Sequence, residues 1–379
     1  LIYLDNSATT IHKPDSVIDA VVQAMKTMGN ASRGSHNDSL KADRVIFDLR
    51  RKLCIFFCGK NPRNIVFTKN STEALNTAIT GLAKDGDHII TTANEHNSVL
   101  RPIYRLASEK NIGYSIVPID KDGILKYEAI EDLIEENTSM MVVNHGSNVT
   151  GNIADLEKIS GICKKHGIKL VVDASQTAGV IPIDVEKTGI DVLCFTGHKS
   201  LLGPQGTGGM YVSDSVYIRP FSVGGSGSKS FDKDHPSNMP TNLEAGTLNS
   251  HGLAGLSAAI DYINSKGIDN LRKHELDLAD RFYRAVKDLD AVVTYGDFST
   301  SYRCPIVSLN IGDEDASKIS MLLSENYDIA TRPGAHCAPL VHESFGTVEQ
   351  GMVRFSFSSF NTIDEVDLAI KAVKEIAES

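Results

Sequence analysis

Phe195-Thr196-Gly197-His198-Lys199-Ser200-Leu201-Leu202-Gly203-Pro204-Gln205-Gly206-Thr207-Gly208-Gly209-Met210 is the stretch on which the fold turns. The apolar run 191–195 reads as a buried strand, Lys199 stands just past its end, and a glycine-rich return follows. A lone loop lysine is ordinarily solvated, because charged side chains are mostly exposed. One held at the end of a buried strand has little water around it, so its ammonium form is disfavoured and its amine gains nucleophilicity. Upstream, Lys169-Leu170-Val171-Val172-Asp173 ends a second apolar strand on a carboxylate. Asp173 precedes Lys199 by 26 positions (199 − 173), enough for one crossover between neighbouring parallel strands. A carboxylate and an amine in one crevice are what pyridoxal phosphate needs at its ring nitrogen and its aldehyde.

Outward from that pair, apolar runs alternate with amphipathic ones. Strands are expected at 65–68, 88–91, 114–119, 140–144 and 168–173. Helices are expected from Thr72 and Ser98 and over 127–135 and 153–166. Such alternation predicts an α/β domain with a largely parallel sheet covered on both faces. Before it, Pro14 suits a helix start, and Val17, Ile18, Val21, Val22 and Met25 recur at helical spacing. A second amphipathic helix runs from Leu40 through Phe56, after a polar loop from Asn30 to His36. Residues 222–240 read as a long loop. Past Leu253 come long helices, strands near 306–309 and 353–357, and a closing helix over 363–377. The chain is therefore expected to divide into a large domain, 14–252, and a smaller α+β domain from 1–13 and 253–379.

At 379 residues with a net charge of −10 and a mean hydropathy of −0.13, the chain reads as a soluble globular protein. The acidic balance argues against nucleic acid, whose binding rests on cationic contacts to phosphate. No apolar run approaches the roughly 18 residues of a membrane span. The opening Leu1-Ile2-Tyr3-Leu4 has no secretory character, and the six cysteines show neither disulfide nor metal-ligand spacing. No metal is expected, and a reducing cytoplasm is the expected setting.

Lys69-Asn70-Ser71-Thr72-Glu73 opens a helix after a strand, where free backbone N–H groups favour a phosphate. Plain N-capping explains the same residues. His96 can stack on a planar ring or simply close a loop, and Gln176 can donate to a ring hydroxyl. Of the cysteines, Cys54, Cys58, Cys163, Cys194 and Cys304 sit in or beside apolar patterns and are expected to be inert. Cys337, on a loop with Arg332, Gly334 and His336, has a setting that favours an accessible thiolate.

In chain order these segments are joined by Tyr3-Leu4-Asp5-Asn6-Ser7-Ala8-Thr9-Thr10, Ser147-Asn148-Val149-Thr150-Gly151, Glu244-Ala245-Gly246-Thr247 and Arg332-Pro333-Gly334-Ala335-His336-Cys337-Ala338. Together they resemble the fold-type I pyridoxal-phosphate enzymes of aminotransferase class V, and within that class the cysteine desulfurases. The resemblance spans nearly the whole chain. It implies Lys199 as the Schiff-base lysine, Asp173 as partner of the ring nitrogen, Gln176 of the ring oxygen, and His96 as stacking ring and proton carrier. It places the phosphate on Ser71, Thr72, Thr196 and His198, with Thr247 reaching the phosphate of a second subunit, hence a homodimer. Asn148 is implied for both cofactor and substrate, and Arg332 and Arg354 for the substrate, Arg354 holding its carboxylate.

The Cys337 segment is similar to the group II desulfurases and selenocysteine lyase-like relatives. It departs from them at Ala335, where a His is usual, and in the five residues 200–204 after Lys199, one more than expected. The implied reaction takes sulfur from L-cysteine, leaves L-alanine and forms a persulfide on Cys337, to be passed to an acceptor protein. The alternatives are a selenocysteine lyase acting on L-selenocysteine, another class V aminotransferase, and a non-catalytic scaffold of the same fold.

Overall fold

The computed structural model describes residues 1–29, 37–227 and 230–378. The polar loop expected from Asn30 to His36 lies outside the described residues. The first half of the chain runs β1 (Ile2–Tyr3), α1 (Asp15–Thr27), α2 (Asn37–Phe56), β2 (Ile65–Thr68), α3 (Ser71–Leu82), β3 (His88–Thr92), α4 (Asn97–Glu109) and β4 (Gly113–Val117). It continues with α5 (Ala129–Asp132), β5 (Thr138–Asn144), α6 (Leu156–His166), β6 (Lys169–Asp173), α7 (Val185–Thr188), β7 (Val192–Thr196) and β8 (Gly208–Val212). The rest comprises α8 (Ser250–Lys266), α9 (Ile268–Val286), β9 (Val292–Tyr295), β10 (Ile306–Ile311) and α10 (Ala316–Tyr327). Last come β11 (Ile329–Ala330), β12 (Arg332–Gly334), α11 (Pro339–Phe345), β13 (Met352–Ser356) and α12 (Ile363–Ala377).

Seven strands form the large sheet in the order β2-β8-β7-β6-β5-β3-β4. The pairs among β7, β6, β5, β3 and β4 are parallel, and β8 runs antiparallel to both β7 and β2. β2 therefore points the same way as β7, so β2, β3, β5, β6 and β7 all end at one edge. Ligands in open α/β sheets bind outside the carboxyl ends of the strands. Apolar residues of α2, α6 and α8 cover one face and those of α3 and α4 the other, which is why the strands read as unbroken apolar runs. The expected domain cut at 252/253 falls inside α8, whose Leu253, Leu256, Ile260 and Ile263 lie in the core of the large sheet.

A smaller antiparallel sheet, β12-β13-β10-β9, packs its own core with α9, α10 and α12. The N-terminal segment joins it, since β1 pairs with β11 and Asp5 bridges Ser356. Among the described residues no helix is long and apolar enough to cross a membrane.

Several expected elements are shorter than their apolar pattern. β4 stops at Val117 because Pro118 follows and cannot donate to a ladder. α6 starts at Leu156, where Asp155 accepts the Lys158 N–H at 3.0 Å, while Ile153 instead bridges Gly146. α5 keeps only one turn, because Glu135 and Glu136 would crowd the negative end of a longer helix. On α1, Val17 and Ala24 are buried, but Ile18, Val22 and Met25 are exposed, so part of the apolar stripe has no cover among the described residues. Cys58 is exposed: α2 ends at Phe56 and Cys58 turns the chain with a φ of 57°.

Candidate active site

Five strand ends deliver the expected residues to one hollow. It is lined by Asn70, Ser71 and Thr72 after β2, His96 and Ser98 after β3, and Asn144 at the end of β5 with Asn148 beyond it. Asp173 at the end of β6 with Ser175 and Gln176 beyond it, and Thr196 at the end of β7 with His198 and Lys199 beyond it, complete it. The lysine turn is tight: Gly197 N–H donates to Thr207 O at 2.8 Å, and Gly203 N–H to Gly197 O at 2.7 Å. A Cβ on Gly197 would lie 2.2 Å from Thr207 Oγ1, so only glycine fits there. Burial, and next the Arg354 charge, push the Lys199 amine down to about 8, against the pull of Asp173. At pH 7 about a tenth of that amine is then unprotonated, far more than for an ordinary lysine.

Asp173 is 3% exposed. Its Oδ1 accepts from Ser71 Oγ at 3.2 Å, Ser175 N–H at 2.9 Å and Ser175 Oγ. No hydrogen bond reaches Oδ2 among the described residues. The carboxylate is thus fixed through one oxygen and left with the other.

His96 caps α4. Its Nδ1 accepts the Ser98 N–H at 3.0 Å, which leaves the proton of the neutral ring on Nε2. Burial pushes this imidazole down to about 4, so it enters the chemistry uncharged. At the other end of the hollow, Asn70 Oδ1 caps α3 through the Glu73 N–H at 3.0 Å, and Glu73 reaches back to the Lys69 N–H at 2.6 Å. The capping explanation and the anion site therefore coexist: the Ser71 and Thr72 amides have no acceptor within the helix. Thr196 Oγ1 is buried with no partner. His198 Nδ1 meets Thr9 Oγ1 at 3.1 Å, and its ring is pushed down to about 4, mainly by burial. Lys13 donates to His198 O at 2.9 Å.

The N-terminal segment lies across the site. Gln176 Nε2 donates to Ser7 O at 3.1 Å, so one of its two amide hydrogens remains for a ligand. Asp5 Oδ1 meets Arg354 Nη2 at 2.7 Å, and Asn148 O accepts Arg354 Nη1 at 3.0 Å. Arg354 is 2% exposed and its Nε has no partner, so this buried guanidinium keeps unused donors. Arg332 stands opposite Arg354 in the ladder of β12 and β13. Asn148 Nδ2 donates to His336 O at 2.8 Å, while its Oδ1 is buried and unpaired. Cys337 is exposed, and its carbonyl accepts the Asn97 N–H at 2.7 Å, which seats the thiol loop beside His96.

Cys54, Cys163, Cys194 and Cys304 are buried as expected, and burial pushes the Cys163 and Cys304 thiols up to about 12. Thr247 is not in the hollow. It lines a separate one with Lys69, Glu73 and Asn249. Sequence reasoning gave no role to Asn144, Ser175 or Asp5, although Asn144 ends an expected strand, Ser175 lies between Asp173 and Gln176, and Asp5 lies inside the Tyr3–Thr10 motif. It also passed over Glu95, which is fully buried, accepts from Thr92 Oγ1 (2.6 Å) and Asn144 N–H (2.8 Å), and is pushed up to about 8 by burial.

Residues 2–368 match the family model for aminotransferase class-V. The chain belongs to the aminotransferase class-V family. Among its class-V relatives, a probable cysteine desulfurase of Methanothermobacter thermautotrophicus is 34% identical over 99% of this chain and 94% of its own. The cysteine desulfurase of Escherichia coli (strain K12 / DH10B) is 30% identical over 99% and 93%. The apo structure of a cysteine desulfurase from Thermococcus onnurineus NA1 superposes with a TM-score of 0.93 at 32% identity, covering 99% of this chain and 94% of that one.

Class-V enzymes of this kind depend on pyridoxal phosphate, and the residues present fit it. The depressed Lys199 amine, the bare Asp173 Oδ2, the unpaired Thr196 hydroxyl and the open end of α3 are the groups that an aldehyde, a pyridine nitrogen and a phosphate require.

Proposed function

We propose that this chain is a pyridoxal-phosphate-dependent cysteine desulfurase that converts L-cysteine to L-alanine and receives the sulfur as a persulfide on Cys337. The observation that carries the reading is the seat of the Cys337 loop: its carbonyl is bonded at 2.7 Å to the first residue of α4, immediately after His96 of the Lys199–Asp173 hollow. Lys199 would hold the cofactor through its amine, Asp173 Oδ2 its ring nitrogen, Gln176 its ring oxygen and His96 its face. Thr72, Thr196, His198 and the amides of Ser71 and Thr72 would hold its phosphate. When bound, the cofactor supplies an electron sink for negative charge at the substrate's Cα.

The chain's own groups do the rest. The two arginines, with Arg354 anchored by Asp5 and Asn148, orient the substrate carboxylate. Lys199, unprotonated in part near neutrality, takes the Cα proton, and His96 carries protons through Nε2. Cys337 thiolate attacks the substrate sulfur: an S–S bond forms and the Cβ–S bond breaks. The departing pair stays on Cβ, which is then protonated. Cysteine and a thiol thus become alanine and a persulfide, with no external oxidant.

A homodimer belongs to the proposal. A second copy would cover Ile18, Val22 and Met25 and bring its Thr247 to this chain's phosphate end. The two-unit division keeps 1–13 with the small domain, supported by the β1–β11 pairing, and α8 links the units. A protein acceptor for the persulfide and a cytoplasmic setting complete the reading. Parallel turnover assays on L-cysteine and L-selenocysteine, counting alanine, test it. Alanine from cysteine at a catalytic rate supports the desulfurase; alanine from selenocysteine alone makes the chain a selenocysteine lyase.

A further inference from the structure

The Cys337 loop contains two consecutive non-glycine residues in the left-handed region, His336 at φ 52° and Cys337 at φ 56°. Non-glycine residues are strained in that region, so something must hold the loop. Behind it lies a row of buried groups to which the chemistry above assigns no part. His336 Nε2 meets Arg332 O at 2.9 Å, His336 Nδ1 meets His342 Nε2 at 3.5 Å, and His342 Nδ1 meets Thr347 Oγ1 at 2.9 Å. His336 and His342 are 5% and 1% exposed. Their rings are close to coplanar, 13° apart, with centroids at 5.7 Å. The 2.2 Å by which 5.7 Å exceeds the 3.5 Å nitrogen gap is taken up by the two ring radii, so the nitrogens face each other edge to edge.

The protons along this row have one consistent arrangement. A carbonyl only accepts, so His336 Nε2 carries the hydrogen that goes to Arg332 O, and the Nδ1 of the neutral ring is an acceptor. His342 must then donate from Nε2, and its own Nδ1 accepts from Thr347 Oγ1. Burial pushes both rings down, His336 to about 3, and the Arg354 and Arg332 charges facing His336 push the same way. The row therefore stays neutral at working pH. Its far end reaches the substrate groups: His336 O holds Asn148 Nδ2, and Asn148 O holds Arg354 Nη1.

We propose that His342 is a positioning residue for the sulfur-accepting step, whose Nε2–H fixes the ring of His336 and so holds the Cys337 thiol in register. Losing this donor leaves a buried Nδ1 acceptor unpaired, a penalty borne by the strained loop. The kinetic part of the proposal rests on the desulfurase reading; the loop-order part does not.

The test uses the holoenzyme with His342→Leu, which keeps bulk and loses the donor, and His342→Gln, whose amide replaces the Nε2–H. In the Leu variant, kcat with cysteine should fall about tenfold or more with KM within about twofold, because one buried partner is lost and substrate docking is not. Amide hydrogen exchange in the peptide containing 335–338 should quicken at the same time. The Gln variant should restore both. If Leu does not fold, His342→Asn, too short to reach His336, is compared with Gln in the same way. Equal loss in the Gln and short or apolar variants would reduce His342 to packing and overturn the proposal, as would a Leu variant with wild-type kcat and exchange. A holoenzyme that makes no alanine but shows the exchange pattern would sink the desulfurase reading and leave the loop brace standing.

Discussion

Glu244 opens the segment that carries Thr247, and the structure gives it a mechanical task that can be measured. Its Oε1 accepts Arg50 Nη1 at 2.7 Å and Phe67 N–H at 2.7 Å, and its Oε2 accepts Arg50 Nη2 at 2.5 Å. The pair is buried, with side chains 6% and 7% exposed, and the guanidinium sits 4.4 Å above the Phe67 ring. Glu244 thus ties α2, the edge strand β2 and the Thr247 segment together. Glu244→Gln leaves the Arg50 charge buried without a counter-ion, and breaking such a pair costs about 3–5 kcal/mol. Replacing both partners, Arg50→Met with Glu244→Leu, should cost much less, because neither charge is then stranded. With no tryptophan in the chain, far-ultraviolet circular dichroism in urea is the suitable assay. For a urea slope of about 3 kcal/mol per molar or somewhat more, the single variant should lose on the order of 1 M in midpoint and the double variant a fraction of that. A Glu244→Gln protein with the wild-type midpoint, or a double variant weaker than the single one, would refute the reasoning.

Asp173→Asn should still bind cofactor but should slow loss of the substrate's Cα hydrogen by about 100-fold or more, read as deuterium exchange, because the charge facing the ring nitrogen is gone. Unchanged exchange would mean another group faces that nitrogen. Arg354→Lys should raise KM for cysteine by about tenfold or more, since the ammonium lacks the fork that also meets Asp5 and Asn148; wild-type constants would move the carboxylate to Arg332. Glu95 and Glu275 are buried acids pushed up from 4.5 to about 8, so the folded state binds their protons more tightly than the unfolded one. Their contribution is fully present below about pH 4.5 and is lost as pH rises through 8. Glu275→Gln should therefore flatten the decline in urea midpoint between about pH 5.5 and 8.5, and an unaltered slope would show that Glu275 does not drive it.

The sheet was legible because its strands are buried on both faces and read as uninterrupted apolar runs: 65–68 stands where the pattern puts it, and the strand expected at 168–173 loses only its first residue. The strand-end residues followed, since a parallel sheet brings Thr72, His96, Asp173 and Lys199 to one edge whatever lies between. Failures came where periodicity ignores the partner surface. The α1 stripe predicts burial of Ile18, Val22 and Met25, yet all three are exposed and no element among the described residues covers them. Cys58, beside the apolar pattern that ends at Phe56, was expected to be inert, but it is exposed, because a left-handed residue leaves no periodic trace. Asp5 was hidden by distance: nothing local in a sequence reveals that a residue near the N-terminus pairs with Arg354, 349 positions away. The left-handed His336–Cys337 pair was equally silent, since non-glycine residues seldom signal such a backbone.

The measurement that bears most directly on the proposed chemistry is peptide mass spectrometry of the holoenzyme after a single turnover with L-cysteine. One sulfur should be added to the peptide holding Cys337, matched mole for mole by alanine. Cys337→Ala should retain the visible absorption of bound cofactor while yielding neither product from cysteine. Cys58, the other exposed thiol, should stay unmodified. Added sulfur on the Cys58 peptide in place of Cys337, or wild-type alanine formation by the Cys337→Ala protein, would contradict the persulfide mechanism.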